Sequence, residues 1–378
     1  MIAGVLLGLS AFAPVRPAAA WNAHGHMTVA GFAYTRLTPD VRKKVDELLR
    51  LNPNYETWVS NVPIQRRGVV AFMMGANWPD EIKQDHAHTR SGDQSSGPSA
   101  TRNIGYTDDL VHGYWHYIDV PFSPDGTPLG SVAAPNVETQ IAAFRAALAS
   151  SSTSDDVKSY DLVWLLHLVG DVHQPLHAVS RFDREERRGD RGGSGVRICE
   201  PTCGTSLHYF WDDALGMGTD PQAAIDEASR LPTPDRGLAG IADEAKWVEE
   251  SFQLAKTAVY IDPVGIGPGP FTVDGKYKEH ARAIAVNQVA LAGARLANLL
   301  NDALKTVAVG SHTGVEPSSG QGVGAATERM VMFNERTGKY HDPACDSVRR
   351  CTHCVSVPLS EAVRRGGRAC KVCRGGRN

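Results

Sequence analysis

The chain has 378 residues, of which 42% are hydrophobic and 21% are charged. This composition supports one large or two modest domains with a sizeable core, and it excludes wholesale disorder. The net charge of −3 excludes a globally basic protein that holds nucleic acid through phosphate neutralisation alone. Any polyanion would therefore be bound locally, by a few cations or by a metal ion.

The N-terminus predicts a secretory signal peptide over residues 1–20. Residues 2–13 are apolar, and three consecutive alanines that end at Ala20 supply a small-residue cleavage site. No Lys or Arg precedes the apolar stretch, which departs from the usual pattern. An N-terminal core helix is the alternative interpretation, but two prolines after residue 13 would interrupt it. Cleavage would make Trp21 the first residue of a secreted or periplasmic protein.

Between residues 21 and 308, apolar residues recur at the spacing of helices. The strongest helical patterns cover 137–150, 161–173, 242–260 and 277–302. Alternating patterns are scarce, and 196–204 is the best candidate for a β-hairpin. Polar loops rich in Gly, Ser, Asp or Pro cover 85–104, 181–197 and 262–275. These patterns predict an all-α, multi-helix domain.

The C-terminal part has a different composition. Residues 309–327 predict a flexible linker. The following segment, 328–378, contains five of the seven cysteines, which predicts a small Cys-rich module that is separate from the helical domain.

Two histidine–aspartate pairs recur at a four-residue spacing. His167 and Asp171 lie on one predicted helix, and His208 and Asp212 repeat the spacing on another, so each pair leaves one helix face. A single histidine on an apolar helix is more often a satisfied core residue. A buried carboxylate without a partner is costly, however, and two such pairs favour a metal site. Imidazole and carboxylate donors without thiolate are typical of catalytic zinc.

Five motifs, in chain order, resemble those of the trinuclear-zinc, single-strand-specific nucleases of the S-one and P-one type, which are also 3′-nucleotidases. The motifs are WNAHGH (21–26), NWPD (77–80), WHYID (115–119), HLVGDVHQPLH (167–177) and LHYFWD (207–212). The segment 292–301 also resembles the family's closing helix, so the resemblance covers about 21–305. It implies a secreted zinc endonuclease that cleaves RNA and single-stranded DNA and removes 3′-phosphates from nucleotides.

The resemblance further implies three zinc ions. One would be held by Asp80, His116, His167 and Asp171, and a second by His177, His208 and Asp212. The third would be held by His26, by Asp171 as a bridge, and by the free amine and carbonyl of Trp21. Signal cleavage would create that amine, because an amide nitrogen cannot serve as an amine ligand. Zinc-activated hydroxide would then attack the phosphodiester.

Three other residues receive roles through the resemblance. Asp119 would orient the attacking water, although a hydrogen bond to a ligand histidine is the alternative role. Lys83 lies where the family usually has a phosphate-contacting arginine, and lysine cannot form the bidentate fork. Tyr117 would stack on a base, with simple core packing as the alternative. The family's Gly-Gly-Asn is Gly-Gly-Ser at 192–194, which leaves base preference open.

Two other functions compete with this interpretation. The distantly related zinc-dependent phospholipase C shares a helical fold and an N-terminal Trp ligand, but the spacing from Trp21 to His26 and the WHYID motif favour a nuclease. An inactive binding protein that keeps its ligand residues for stability is the second alternative. The expected substrates are single-stranded DNA, RNA and nucleotides. We expect a monomer without stable membrane association.

The cysteines outside the helical motifs allow several pairings. Cys199 and Cys203 predict a small disulfide loop. Cys351-x2-Cys354 and Cys370-x2-Cys373 are 15 residues apart, a common structural zinc spacing. The tail also resembles a metal-binding module of DNA-repair alkyltransferases. That resemblance would select His341, Cys345, Cys370 and Cys373 and leave Cys351 and Cys354 to pair. Disulfides are the default in the oxidising compartment of an exported protein, so disulfides in the tail and a zinc site in the tail remain equal alternatives.

The tail differs from the rest of the chain in charge. From His341 onward it carries eight Lys and Arg residues against three acidic residues. Such a basic module on a flexible tether would raise the local concentration of polynucleotide without contributing to the chemistry.

Overall fold

The computed structural model describes residues 21–309 and, towards the C-terminus, 330–334, 336–341, 345, 348, 351, 353–358, 362, 365 and 367–370. The chain divides into two compact units, Met1–Thr313 and Gly314–Asn378. The predicted signal peptide, residues 310–327 of the predicted linker, and Cys373 lie outside the described residues.

The first unit is mostly helical. Its α-helices are α1 (Ala23–Tyr34), α2 (Pro39–Leu49), α3 (Tyr55–Val59), α4 (Arg67–Glu81), α5 (Val137–Ala149), α6 (Asp155–Asp171), α7 (Leu207–Asp212), α8 (Pro221–Arg230), α9 (Arg236–Ala239), α10 (Glu244–Leu254) and α11 (Gly275–Leu304). Short 3-10 helices cover Ile64–Arg66, Gly105–Thr107, Gly113–His116 and Pro175–Ala178, and α10 continues into a π-helical turn, Ala255–Val259. The mostly helical fold expected from the sequence is confirmed.

Helix α6 forms the centre of this unit. Ser154 caps its N-terminus by accepting a hydrogen bond from the Val157 amide. Asp155 and Asp156 lie in its first turn, where their negative charges interact favourably with the positive end of the helix dipole. Every residue from Lys158 to Asp171 is buried, because α1, α2, α4, α5 and α11 pack around the helix. A helix enclosed on all sides lies in the interior of a domain. The helix begins six residues before the predicted start at 161 and ends two before the predicted end.

Helix α11 is the longest helix of the described residues. Its length and composition alone would allow it to cross a membrane. However, 72% of its most apolar window is buried inside the unit, where it packs against α1, α5 and α6. Burial of this kind is also found in the core helix of a soluble domain.

Short strands connect the helices near the motifs. Strand β1 (Pro121–Phe122) pairs in parallel with β2 (Ser180–Arg181), and β3 (Arg197–Cys199) pairs with β4 (Thr205–Ser206) and with β5 (Phe271–Thr272). Pairing of β3 with β4 is antiparallel, and a disulfide between Cys199 and Cys203 closes this hairpin. The predicted hairpin and its disulfide are therefore confirmed.

The second unit contains a four-stranded sheet. Its strands are β6 (Met330–Asn334), β7 (Lys339–His341), β8 (Cys354–Pro358) and β9 (Arg368–Ala369), in the order β8-β6-β7-β9. Among the described residues of this unit, the buried apolar cluster is small and consists of Val331, Phe333, Val357 and Ala362. Such a small core supplies little hydrophobic stabilisation, so further cross-links are expected.

Candidate metal centre

The structure brings the motif histidines and aspartates into three groups, which draw on six helical elements. The groups are His26–His167–Asp171, Asp80–His116–His167 and His177–His208–Asp212. Within each group the donor atoms lie within 4.8 Å of one another. These groups contain eight of the nine residues that the sequence analysis expects as zinc ligands, although the motifs are spread from residue 26 to residue 212.

Asp171 lies between two of these groups. Its Oδ1 is 3.3 Å from His26 Nε2 and 3.3 Å from His167 Nε2, and its Oδ2 is 3.0 Å from His116 Nδ1. The rings of His26 and His167 stack with centroids 3.8 Å apart. The two carboxylate oxygens therefore face different imidazoles, which is the arrangement that a bridging ligand requires.

Backbone carbonyls fix the orientation of three imidazoles. Nδ1 of His167, His177 and His208 each lies 2.7 Å from a carbonyl oxygen, of Ala76, His116 and Gly192 respectively. A carbonyl oxygen can only accept, so each Nδ1 must carry the proton and each Nε2 must present its lone pair to the site. This is the usual way in which a protein fixes the tautomer of a metal-binding histidine.

The contact between His177 and His208 indicates that a cation fits the site. His177 Nε2 and His208 Nε2 are 3.0 Å apart, so two lone pairs face each other unless a proton or metal ion lies beside them. Burial, followed by the neighbouring His208, lowers the pKa of His177 well below its ordinary value, which disfavours the proton. A metal ion satisfies both nitrogens, and the nitrogen and oxygen donors suit zinc.

Buried polar atoms without hydrogen-bond partners also indicate that a cation fits the site. His26 Nε2, Asp171 Oδ1 and Asp212 Oδ2 are buried without a hydrogen-bond partner. Burial raises the pKa of Asp171 and of Asp212 well above the ordinary carboxyl value, because charged carboxylates are poorly solvated there. A bound cation would restore the charged form and satisfy these atoms, so the residues present fit a metal ion.

Two glycines allow the donors to approach one another. A Cβ atom on Gly170 would lie 2.9 Å from His26 Nδ1, so only glycine lets α1 pack this closely beside Asp171. Gly192 has a φ of +57°, and its Cβ would overlap the carbonyl oxygen of Leu176. Glycine at this position therefore allows the Gly192 carbonyl to reach His208 Nδ1.

Trp21 is fully buried, immediately before α1. Its Cδ1 lies 3.8 Å from the position that a Cβ of Gly170 would take, so the indole packs beside α6. Asn22 binds the loop after α7: its amide N–H donates to the Asp212 carbonyl at 3.2 Å, and its side chain donates to Asp213 Oδ1 at 2.7 Å. These contacts hold the start of α1 beside two of the three groups.

The three residues to which the resemblance assigns a role towards water or substrate lie close to the groups in sequence, but in different environments. Lys83 is nearly buried, and its Nζ donates to Asp80 Oδ1 at 2.6 Å. Tyr117 is 41% exposed, which suits stacking better than core packing. Asp119 is half-buried, and burial followed by the nearby Asp190 raises its pKa to about 6.

The family model described as S1/P1 nuclease matches residues 21–305. The chain belongs to the S1/P1 nuclease family. Members of this family are zinc enzymes that act on nucleic acid, in agreement with the donor set described above.

Curated relatives of this chain carry endonuclease names. Endonuclease 3 of Arabidopsis thaliana is 27% identical over 205 residues, which cover 53% of this chain and 56% of the relative. Endonuclease 4 of the same plant is 26% identical over 53% of this chain and 57% of the relative, and Endonuclease 2 is 24% identical over 52% and 56%. The chain thus spans about half the length of the curated relatives that it matches.

Two residues beside the predicted ligands and Asp119 were not expected from the sequence. Gln174 donates through Nε2 to Asp212 Oδ1 at 2.7 Å and accepts the Leu176 amide, so it orients a predicted ligand. Arg191 is exposed with a left-handed φ of 55°, and its charge lowers the pKa of Asp119 against the larger effect of burial. Arg191 precedes two glycines, and this position could have been noticed in the sequence. Consecutive residues in the left-handed conformation are often found in turns at functional sites.

The second unit of the chain gathers a different donor set. His341, Cys345 and Cys370 have their ligand atoms within 4.8 Å of one another and are all buried. Cys351 and Cys354 form a disulfide. This arrangement agrees with the alternative in which Cys351 and Cys354 pair and the other residues form a separate group.

Proposed function

We propose that this protein is an exported, zinc-dependent endonuclease that hydrolyses phosphodiester bonds in RNA and single-stranded DNA and also acts as a 3′-nucleotidase. The observation that carries the proposal is the convergence of eight motif side chains into three groups with unpartnered buried donor atoms. Family membership and the endonuclease names of the relatives support the same class of reaction.

Three zinc ions would be held as follows. Asp80, His116 and His167 with Asp171 would hold one ion, and His177, His208 and Asp212 a second. His26, Asp171 and the N-terminal amine and carbonyl of Trp21 would hold the third. When bound, zinc supplies Lewis acidity, which generates hydroxide from water near neutral pH and offsets negative charge on the phosphate.

The protein's own groups would position the reactants. Asp119 would hold the attacking water, because a carboxylate with a pKa of about 6 is mostly ionised at pH 7 and can accept a proton. Lys83 would turn an N–H towards a phosphate oxygen while its remaining contact with Asp80 keeps the ammonium in place. Tyr117 would stack on a base, a contact that tolerates any base sequence.

Export is part of the proposal because the third ligand set needs a processed N-terminus. The buried position of Trp21 beside α6 and the contacts of Asn22 favour this role. The disulfide between Cys199 and Cys203 suits an oxidising compartment. We expect the mature chain to begin at Trp21, and an extension of one residue to weaken the third zinc site. N-terminal mass spectrometry and zinc content of the two forms would test this.

The proposed function is tested by zinc analysis of the purified mature protein and by three parallel assays. Single-stranded DNA, RNA and phosphatidylcholine are offered at equal phosphodiester concentration. We expect cleavage of both nucleic acids and none of the lipid. Preferential lipid cleavage would favour a phospholipase C, and no cleavage by zinc-loaded protein would favour a binding protein.

A matched pair of variants makes the assay specific. His167→Asn removes a proposed ligand, whereas His280→Asn changes a histidine that is exposed on α11. We expect loss of zinc and activity only from His167→Asn. Equal behaviour of the two variants would separate the activity from the proposed metal centre.

A further inference from the structure

A cavity lies next to the segment that carries the proposed zinc ligand His116. It has a volume of about 490 Å³, within the usual range for small-molecule sites. Its walls come from the loop 85–104 and from the segment 111–117. The polar and aromatic groups that line it belong to Arg90, Gln94, Ser95, Ser96, Tyr114 and Tyr117.

The cavity shares a structural element with the metal centre. Gly113 and Tyr114 line it and belong to the 3-10 helix Gly113–His116, whose last residue is a proposed zinc ligand. Tyr117 follows directly and also lines the cavity. A substrate bound at the metal centre therefore has the cavity as its neighbour on this side.

A buried polar network holds the wall of this cavity in place. His112 is fully buried in a left-handed conformation with a φ of 45°, which is unusual for a residue with a side chain. Its Nε2 lies 2.8 Å from Asp108 Oδ2 and its Nδ1 lies 3.1 Å from the Tyr114 hydroxyl. Its ring stacks on Trp115 at 3.6 Å. These contacts hold Tyr114 at a fixed place in the wall.

The same network determines which charge faces the cavity. Asp93 also lines it, but its carboxylate is turned towards His112, with Oδ1 3.5 Å from Nδ1, and its side chain is only 3% exposed. Arg90 is exposed and makes no side-chain hydrogen bond or ion pair within the described residues. The charge that remains available to a ligand is therefore positive.

We propose that this cavity binds the nucleotide adjoining the one whose phosphodiester is cleaved, with Arg90 holding the phosphate of that adjoining nucleotide. Guanidinium groups suit phosphate, the serines and glutamine offer further polar contacts, and the two tyrosine rings offer surface to a sugar or base. This inference rests on the proposed nuclease function. It makes the enzyme favour substrates that contain more than one phosphate.

The proposal is tested with the zinc-loaded full chain and a labelled, hydrolysis-resistant phosphorothioate octathymidylate. We expect Arg90→Gln to weaken binding about fivefold to tenfold in low salt. The slope of log affinity against log salt should fall by about 0.7, the value for one phosphate contact on a single strand. Arg102→Gln is the matched control, because this exposed arginine lies in the same loop outside the cavity lining.

A second variant fills the cavity. A Cβ on Gly113 would meet no atom within 4 Å, so Gly113→Leu can enter the space without a clash at Cβ. We expect at least tenfold weaker octamer binding. Gly275→Leu is the control, since its Cβ also meets no atom within 4 Å and the residue does not line the cavity.

A dinucleoside monophosphate separates this inference from the proposed function, because its single phosphate is the scissile one. Arg90→Gln should leave kcat/KM for this substrate within twofold of the wild type. Unchanged octamer binding by both variants, or an equal loss on the dinucleoside monophosphate, would overturn the inference. If the wild type bound the octamer with the expected Arg90 dependence but cleaved no substrate, the nuclease proposal would fail and the binding site would stand.

Discussion

The two units collect potential metal donors of different chemistry. In the first unit, the three groups contain imidazole nitrogens and carboxylate oxygens from six helical elements, and backbone carbonyls orient three of the imidazoles. In the second, one imidazole and two thiols meet within a segment of 30 residues, 341–370. Among the described residues, the three groups of the first unit contain no thiol.

This difference indicates different tasks. Nitrogen and oxygen donors leave zinc acidic and able to accept water or substrate, whereas thiolate-rich sites are usually closed and structural. Such a cross-link would stabilise the second unit, because the buried apolar cluster among its described residues has four members. The first unit has a large core and does not depend on metal for a hydrophobic interior.

The largest expected effect comes from Asp171→Asn. This carboxylate faces donors of two groups, so losing its charge should loosen two ions and disfavour hydroxide. We expect kcat/KM to fall by about 1,000-fold or more, since several kcal/mol of transition-state stabilisation depend on the metals. Kinetics and zinc content measure the effect.

Asp212→Asn is the matched comparison for this variant. Asp212 belongs to one group only, so its loss should disturb fewer ions. Equal zinc content and equal activity in the two variants would contradict a bridging role for Asp171.

The next effect concerns Asp119, which has a different environment from the fully buried ligands. Its pKa is raised to about 6 by burial and by Asp190, and only the ionised form can accept a proton. Activity should therefore rise with pH through about 6. Asp119→Asn should remove this acidic limb of the pH profile. It should also lower kcat by about 100-fold or more, the usual contribution of a general base.

Arg191 provides the control for this assignment. Its positive charge lowers the pKa of Asp119, so Arg191→Gln should move the acidic limb to higher pH. Profiles of kcat/KM between pH 4.5 and 8 distinguish the two variants. A limb that does not move in Arg191→Gln would assign the titration to another group.

A smaller loss is expected from Gly192→Ala. The added Cβ would overlap the Leu176 carbonyl, so the turn must move and release His208 Nδ1 from the Gly192 carbonyl. Loss of such an orienting contact typically costs about 10–100-fold in metal affinity. Zinc titration of this variant against Gly195→Ala measures it, because a Cβ on Gly195 meets its nearest atom at an ordinary 3.5 Å. Equal affinities would show that the carbonyl contact is dispensable.

The residues with the largest expected effects are also those that a sequence motif can identify. Chemistry carried by a side chain is visible in a motif, so the eight residues of the three groups could be named in advance. The carbonyls of Ala76 and Gly192 carry no side-chain signature, and their role depends on tertiary contacts. The wall of the cavity around Arg90 is equally hidden, because a polar loop gives no periodic pattern from which its packing could be derived.

The fold shows the same limit. Helices with strong apolar periodicity, such as α5 and α11, could be placed within two residues at either end. The start of α6 was placed six residues late, since its first turn is polar and is defined by the Ser154 cap rather than by apolar spacing. The four strands of the second unit were not predicted at all, because they are short and bury few side chains.

The second unit should respond to loss of its thiols without a catalytic effect. Cys345 and Cys370 are buried in the structure, and their sulfur atoms lie within 4.8 Å of a ring nitrogen of His341. If they hold zinc, Cys370→Ser should release one ion and make the tail susceptible to protease, because metal binding and folding are coupled in small modules. Turnover of a short substrate should remain within twofold.

A double variant of the disulfide provides the control. Cys351 and Cys354 pair with each other, so replacing both by serine should leave the zinc content unchanged. Native mass spectrometry and thiol titration separate the outcomes. A disulfide between Cys345 and Cys370 in the purified protein would contradict a metal site in this unit.

The smallest expected effect on chemistry is removal of the whole second unit. Val307 is only 4% exposed and lies in the core of the first unit, so the chain should be cut after Thr313, where that unit ends. Turnover of a 3′-mononucleotide should then remain within about twofold, since all the proposed ligands are retained. Affinity for long single strands should fall a few-fold at low salt and less at high salt, because the tail from His341 onward is basic and its attraction to phosphates is screened.

The salt dependence distinguishes a basic module from a structural part of the catalytic unit. A tethered basic module raises local substrate concentration, so it lowers KM for polymers and has no effect on kcat. Loss of mononucleotide turnover after truncation would instead mean that the first unit needs the second to fold or to keep its metal ions. Such a result would remove the distinction between a catalytic and a structural donor set, because both sets would then support the same reaction.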